Sequence, residues 1–171
     1  MKKLLPVLVF VAVVTVAVIA TAGGGDATGD RETAGPLVPD VSVARLDGNG
    51  TFALRDLAGA PQPTLLWFWA PWCEVCNGEA ARIERMARDA RDTLRVVAIG
   101  GRDKAGAGQE FVERHDLRTP TVLFDEPMQA WNAYGFVGQP HAVLLDRDGR
   151  ERGRWIGAFD PAEPMDAARS L

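Results

Sequence analysis

The sequence predicts an α/β domain: a central mixed β-sheet flanked by helices, with a β-hairpin extension at its N-terminal end. Three observations carry this. Thr64–Trp69 (TLLWFW) and Leu94–Ile99 are uninterrupted apolar runs of strand length, each reading as a strand covered on both faces. Between them, Cys73 to about Asp92 places Ala80, Ile83 and Ala87 at helical spacing, with Met86 alongside. His141–Leu145 and Glu151–Ile156 flank Asp148-Gly149, the pattern of an antiparallel hairpin. Strand, helix and strand followed by a hairpin puts parallel and antiparallel strands into one sheet.

At the start of the chain, Lys2 and Lys3 precede an uncharged apolar run to Ala20, and no charge returns before Asp26, the form of an export signal. Ala20-Thr21-Ala22 supplies a small-residue cleavage pattern, while the length of the run also suits a bilayer anchor. Residues 1–22 are therefore expected to be a signal peptide or an N-terminal membrane anchor. Either one exports the rest of the chain, so the protein is expected to be extracytoplasmic, secreted or held at the cell membrane. Gly23–Pro39 is rich in Gly, Ala, Thr and Asp without periodicity and reads as a flexible linker, leaving residues 40–171 as one folded domain.

Within that domain, Val41–Leu54 alternates around Asp47-Gly48-Asn49-Gly50, a hairpin turn signal. Asp56–Gly59 and the segment Gly100–Gly108 read as loops. Gln109–Asp116, Met128–Tyr134 and Pro161–Leu171 read as helices, and Thr121–Phe124 as a short strand. Arg82, Arg85, Arg88 and Arg91 interleave with acids as a solvated helix face, on which Glu84 and Arg88 form an i,i+4 pair. The balance of 19 basic against 23 acidic residues, a net charge of −4, argues against nucleic-acid binding.

Chemistry concentrates at Trp72-Cys73-Glu74-Val75-Cys76, which holds both cysteines of the chain. It lies where a buried strand passes into a helix. Cys73 then sits at the helix N-terminus, where free backbone N–H groups favour a thiolate and lower its pKa from about 8.5 toward about 3.5–7.5. Cys76 lies one turn on along the same face, so the two sulfurs can form a disulfide. Cys73 can attack a partner and Cys76 can resolve the mixed disulfide, a thiol–disulfide exchange that needs no cofactor and no metal. A structural disulfide, a zinc site and a copper carrier that adds His141 to the two cysteines stand as alternatives.

Trp67–Glu79 (WFWAPWCEVCNGE) resembles the active-site strand and helix of the thioredoxin superfamily, and within it the exported TlpA/ResA/DsbE-like branch that includes cytochrome c maturation thioredoxins. The resemblance runs from about Asp40 to about Asp160. It implies a thioredoxin-like fold and an exported thiol–disulfide oxidoreductase acting in cytochrome c maturation or oxidative folding. Its partners would be protein thiols and disulfides and a membrane redox protein, and a monomer is expected. It also implies that Pro140 is a cis proline facing the disulfide, with Gln139 beside it offering backbone hydrogen bonds to substrate. Glu79 resembles the branch's glutamate, a proton acceptor for Cys76. Of the two tryptophans that flank the site, Trp72 reads as an exposed apolar platform for substrate and Trp69 as core. Where thioredoxin itself carries a buried aspartate, six residues before the first cysteine, this chain has Trp67. The other enzyme class on this fold, a peroxiredoxin-like peroxidase, sets its cysteine in Pro-x-x-x-Thr/Ser-x-x-Cys, which Trp69-Ala70-Pro71-Trp72-Cys73 does not supply. His141 is a further candidate if its ring turns toward the sulfurs.

Overall fold

The computed structural model describes residues 35–171. The expected export segment lies outside them, as do residues 23–34 of the expected linker. The chain is engaged from its first described residues, ahead of the start expected at Asp40. The Val38 N–H donates to the Gly149 carbonyl (2.7 Å) and the Glu151 N–H to that of Pro36 (2.9 Å), and the Val38 side chain is buried.

The expected hairpin is present as β1 (Ser42–Arg45) and β2 (Thr51–Ala53), paired with Val43 opposite Phe52. Its turn uses Gly48 and Gly50 at φ 77° and 78°, where a side chain would be strained, and the Asp47 carboxylate accepts from the Asn49 N–H at 3.0 Å. The expected loop at Asp56 begins instead as a 3₁₀ turn, Leu54–Leu57. Side chains three apart eclipse in that geometry, so Leu54 and Leu57 enter the core together.

The described residues form a seven-stranded sheet in the order β2-β1-β5-β4-β3-β6-β7, completed by β3 (Thr64–Trp69), β4 (Arg95–Gly101), β5 (Thr121–Asp125), β6 (His141–Leu145) and β7 (Glu151–Ile156). Strands β3, β4 and β5 run parallel, and β6 pairs antiparallel to β3. Alternation along β3 divides the core between the two faces. Leu65, Trp67 and Trp69 pack with α1 (Glu74–Asp89), α2 (Ala105–His115) and α4 (Ala162–Ala168). Leu66 and Phe68 pack with the 3₁₀ turn and α3 (Gln129–Ala133). Among the described residues no helix is long and apolar enough to cross a membrane.

Two boundaries differ from expectation for physical reasons. Helix α1 stops at Asp89, three residues early, because the Ala90 carbonyl takes the N–H groups of both Thr93 and Leu94 at 2.8 Å. The segment Gly100–Gly108 is mostly regular structure, since β4 runs through Gly101 and α2 starts at Ala105. Its glycines answer to packing: a Cβ on Gly100 would come within 2.6 Å of the Phe124 ring and 2.7 Å of Trp69. Nor does Glu84 pair with Arg88; it accepts the N–H groups of Arg118 and Thr119, at 2.9 and 3.0 Å, and pins the chain leading into β5.

This topology places the site. The C-terminal ends of β3 and β4 and the N-terminal end of β6 fall on one edge of the sheet, with Phe68 opposite His141 and Trp69 opposite Gly100. The loop before α1, the loop after β4 and the loop before β6 therefore converge there, as ligand-binding loops do in open parallel sheets.

Candidate active site

Cys73 occupies the N-cap of α1, and its Sγ accepts the Cys76 backbone N–H at 3.1 Å. The two cysteines are joined in a disulfide with Cα atoms 5.2 Å apart. Cys73 keeps 6% of its surface exposed and Cys76 none, so an incoming sulfur can reach Cys73 first. The same N–H groups that cap the helix would stabilise negative charge on the Cys73 sulfur once the disulfide opens.

Glu79 lies one turn beyond Cys76 on the same helix face and is 2% exposed. Its carboxylate accepts from the Trp67 indole N–H (3.2 Å) and the Phe159 backbone N–H (3.1 Å), with Arg82 Nη2 at 3.8 Å. Burial raises its pKa above the ordinary 4.5, against the pull of these two bonds and of Arg82. Trp67, at the position where thioredoxin carries its aspartate, thus holds by hydrogen bond a carboxylate supplied from the helix.

Trp72 is exposed and donates its indole N–H to the Arg102 carbonyl at 3.2 Å. The Gln139–Pro140 bond is cis; Pro140 is buried and Gln139 half-buried, its side-chain oxygen accepting from Arg102 Nη1 at 2.9 Å. Trp69 belongs to the core, stacked on Phe111 with ring centroids 4.2 Å apart. Glu74 is exposed.

His141 turns away from the sulfurs. It shares a strand face with Val143 and Leu145, opposite the face that carries both cysteines, and its ring stacks on Phe136 at 4.1 Å. The copper-carrier alternative loses its third ligand by this placement. The ring is buried, and burial, aided by Arg154 and Arg102 against an opposing pull from the Trp155 backbone, lowers its pKa from 6.5. A base with a depressed folded-state pKa binds its proton more readily in the unfolded chain. Its contribution to stability is therefore full above about pH 6.5 and is lost as pH falls. We expect the melting temperature of His141→Phe to decline less than that of the wild type between about pH 7.5 and pH 5.5. Parallel declines in a thermal-shift titration would refute this.

Two residues at the site were not singled out by the sequence. The Asn77 amide donates to the Pro71 carbonyl (3.2 Å) and the Cys73 carbonyl (2.8 Å), while its oxygen meets His115 Nε2 at 2.7 Å. With the amide nitrogen turned to the two carbonyls, the amide oxygen accepts and the imidazole donates. Asn77 thereby ties the cysteine loop to α2. Its place directly after the cysteine pair is the one local signal it gives. Arg102 follows β4 just as the cysteine loop follows β3, a topological hint that only the strand order makes usable.

Comparison with known proteins bears on this geometry. Residues 34–153 match the AhpC/TSA family. The soluble secreted antigen MPT53 of Mycobacterium tuberculosis is 36% identical over 106 residues, which cover 57% of this chain and 60% of that protein's length. The thiol:disulfide interchange protein DsbE of Escherichia coli is 26% identical over 162 residues, covering 92% of this chain and 86% of that one. Among solved structures, MTB DsbF superposes with a TM-score of 0.71 at 31% identity, covering 80% of this chain and 98% of that one. A secreted M. tuberculosis disulfide oxidoreductase homologous to E. coli DsbE gives a TM-score of 0.67 at 30% identity, covering 77% and 96%. The thioredoxin-like fold expected from the sequence is the fold observed.

Proposed function

We propose, for a chain that belongs to the AhpC/TSA family, the role of an exported thiol–disulfide oxidoreductase working through the Cys73–Cys76 couple. The observation that carries the reading is a disulfide whose first sulfur is partly exposed at a helix N-cap while its second is fully buried. A substrate thiolate attacks Cys73 Sγ, the Cys73–Cys76 bond breaks, and Cys76 leaves with the electron pair. A second substrate thiolate then attacks the substrate sulfur of the mixed disulfide and releases Cys73. The substrate dithiol has lost two electrons and the enzyme pair has gained them; the reverse sequence reduces a substrate disulfide. Glu79, the buried carboxyl nearest along the helix, serves as the proton acceptor and donor for Cys76.

The rim of the site supports a polypeptide substrate. Of the five large apolar side chains exposed among the described residues, Trp72, Val75, Val137 and Ile156 lie at the sheet edge that carries the disulfide. Trp72 and the Gln139–Pro140 backbone form the walls between which an extended segment would lie. On the same reading, residues 1–22 direct export or anchor the chain, the folded domain acts as a monomer, and a membrane redox protein recycles the couple. The peroxidase alternative gains nothing from the site, where Ala70 and Leu66 stand in place of the hydroxyl and proline its setting requires.

The test is alkylation of the reduced protein by iodoacetamide across a pH series. One thiol is expected to titrate below the value of about 8.5 of a free cysteine, with the modified residue identified as Cys73 by peptide mapping. A reduced pair in which neither thiol reacts below that range would defeat the proposal.

A further inference from the structure

We infer that Arg102 sets substrate specificity, selecting polypeptides that carry an acidic side chain beside the cysteine that meets Cys73. This rests on the oxidoreductase reading above and adds to it a substrate class.

Arg102 stands between the two walls of the site and binds both. Its carbonyl accepts from Trp72 and its guanidinium donates to Gln139. It is held there from three further directions: φ is 62°, a left-handed value uncommon outside glycine; its N–H lies 3.3 Å from Met128 Sδ; and its guanidinium sits over the Trp131 ring at 5.7 Å. The side chain is nevertheless exposed.

No carboxylate of the described residues neutralises its charge. Arg55, Arg118, Arg154 and Arg169 all pair with carboxylates at 2.6–2.8 Å, and the neighbouring Lys104 pairs with Glu126 at 2.9 Å. Among the described residues Arg102 has no such partner, and the adjacent Asp103 is turned to the Lys104 N–H at 2.8 Å. A fixed, exposed and unpaired cation thus faces the rim of a site in a chain whose net charge is −4. Glu74, exposed in the first turn of α1, supplies the opposite sign. A polypeptide crossing the site meets that cation between Trp72 and Gln139, where a Glu or Asp next to its cysteine is stabilised and a Lys or Arg repelled.

The experiment uses the oxidised protein and two peptides with a single cysteine, identical except for Glu or Lys beside it. Rate constants for reduction of the Cys73–Cys76 disulfide are measured by stopped flow per peptide thiolate and divided by the same peptide's rate with a small uncharged disulfide, so that differences in thiol pKa and nucleophilicity cancel. The wild type is expected to prefer the Glu peptide about five- to tenfold at low salt, falling below about twofold near 0.5 M salt. Arg102→Gln brings the ratio toward one, Arg102→Glu inverts it, and Arg102→Lys largely retains it. A wild type that reacts with both peptides without preference overturns the inference, as does a preference that survives in Arg102→Gln or is indifferent to salt. The salt series needs no variant, so it tests the electrostatic origin of the preference even if a substitution disturbs folding. Failure of the wild type to react with either peptide is a different result, and it brings down the oxidoreductase reading itself.

Discussion

Cys73→Ser is expected to abolish turnover in an insulin-reduction assay, a loss on the order of a thousandfold or more, while Cys76→Ser leaves the protein able to attack but unable to finish. The asymmetry comes from burial. Cys73 presents its sulfur at the N-cap and Cys76 is fully enclosed, so a partner sulfur can bond only to Cys73. Serine at position 73 removes the atom to which the substrate must bond. Serine at position 76 keeps that atom and removes the only internal thiol that could displace the substrate. Disulfide-linked species sensitive to dithiothreitol should then accumulate, visible on non-reducing gels and as a mass increase equal to that of the bound thiol. Turnover retained in Cys73→Ser, or accumulation seen with Cys73→Ser rather than Cys76→Ser, would reverse the assignment of the two cysteines.

What the sequence disclosed depended on how local each feature was. The run Thr64–Trp69 shows itself as a central strand because six apolar residues in succession leave no face for water, and all six are buried. The N-cap place of Cys73 was legible from the change of period on either side of it. Gly100, Gly101 and Gly108 were misread as a loop because a glycine's meaning lies in what packs above it. Here that is Phe124, Trp69 and Trp131, all of them distant in sequence. The direction of His141 was undecidable for the same reason: the register of β6 against β3 assigns its face, and that register is a tertiary fact. Arg102 and Asn77 take their roles from loops and helices that meet only after the sheet has formed. Glu79 was legible only through the resemblance, since the partners that bury it come from β3 and from the chain beyond β7.

That arrangement around Glu79 leads to the second large effect. Trp67→Ala should destabilise the protein by about 3–5 kcal/mol, through loss of a fully buried indole and the cavity left behind. Trp67→Phe fills most of the volume yet leaves the Glu79 carboxylate without its indole donor, at a cost of about 1–3 kcal/mol. The carboxylate decides how these losses vary with pH. Burial raises the folded-state pKa of Glu79 above 4.5, so the unfolded chain releases its proton first. Its contribution to stability is full below about pH 4.5 and is lost as pH rises through the raised folded-state value. Glu79→Gln has no proton to lose, so its stability relative to wild type should improve steadily from acid to neutral pH in urea titrations. If the pair acts as a unit, Trp67→Phe and Glu79→Gln combined will cost less than the sum of the two alone, because the buried carboxylate stranded by the first change is absent after the second. Strict additivity, with no pH trend in Glu79→Gln, would mean that the bond from Trp67 to Glu79 holds no appreciable energy and that the carboxyl is not poised to exchange protons with Cys76.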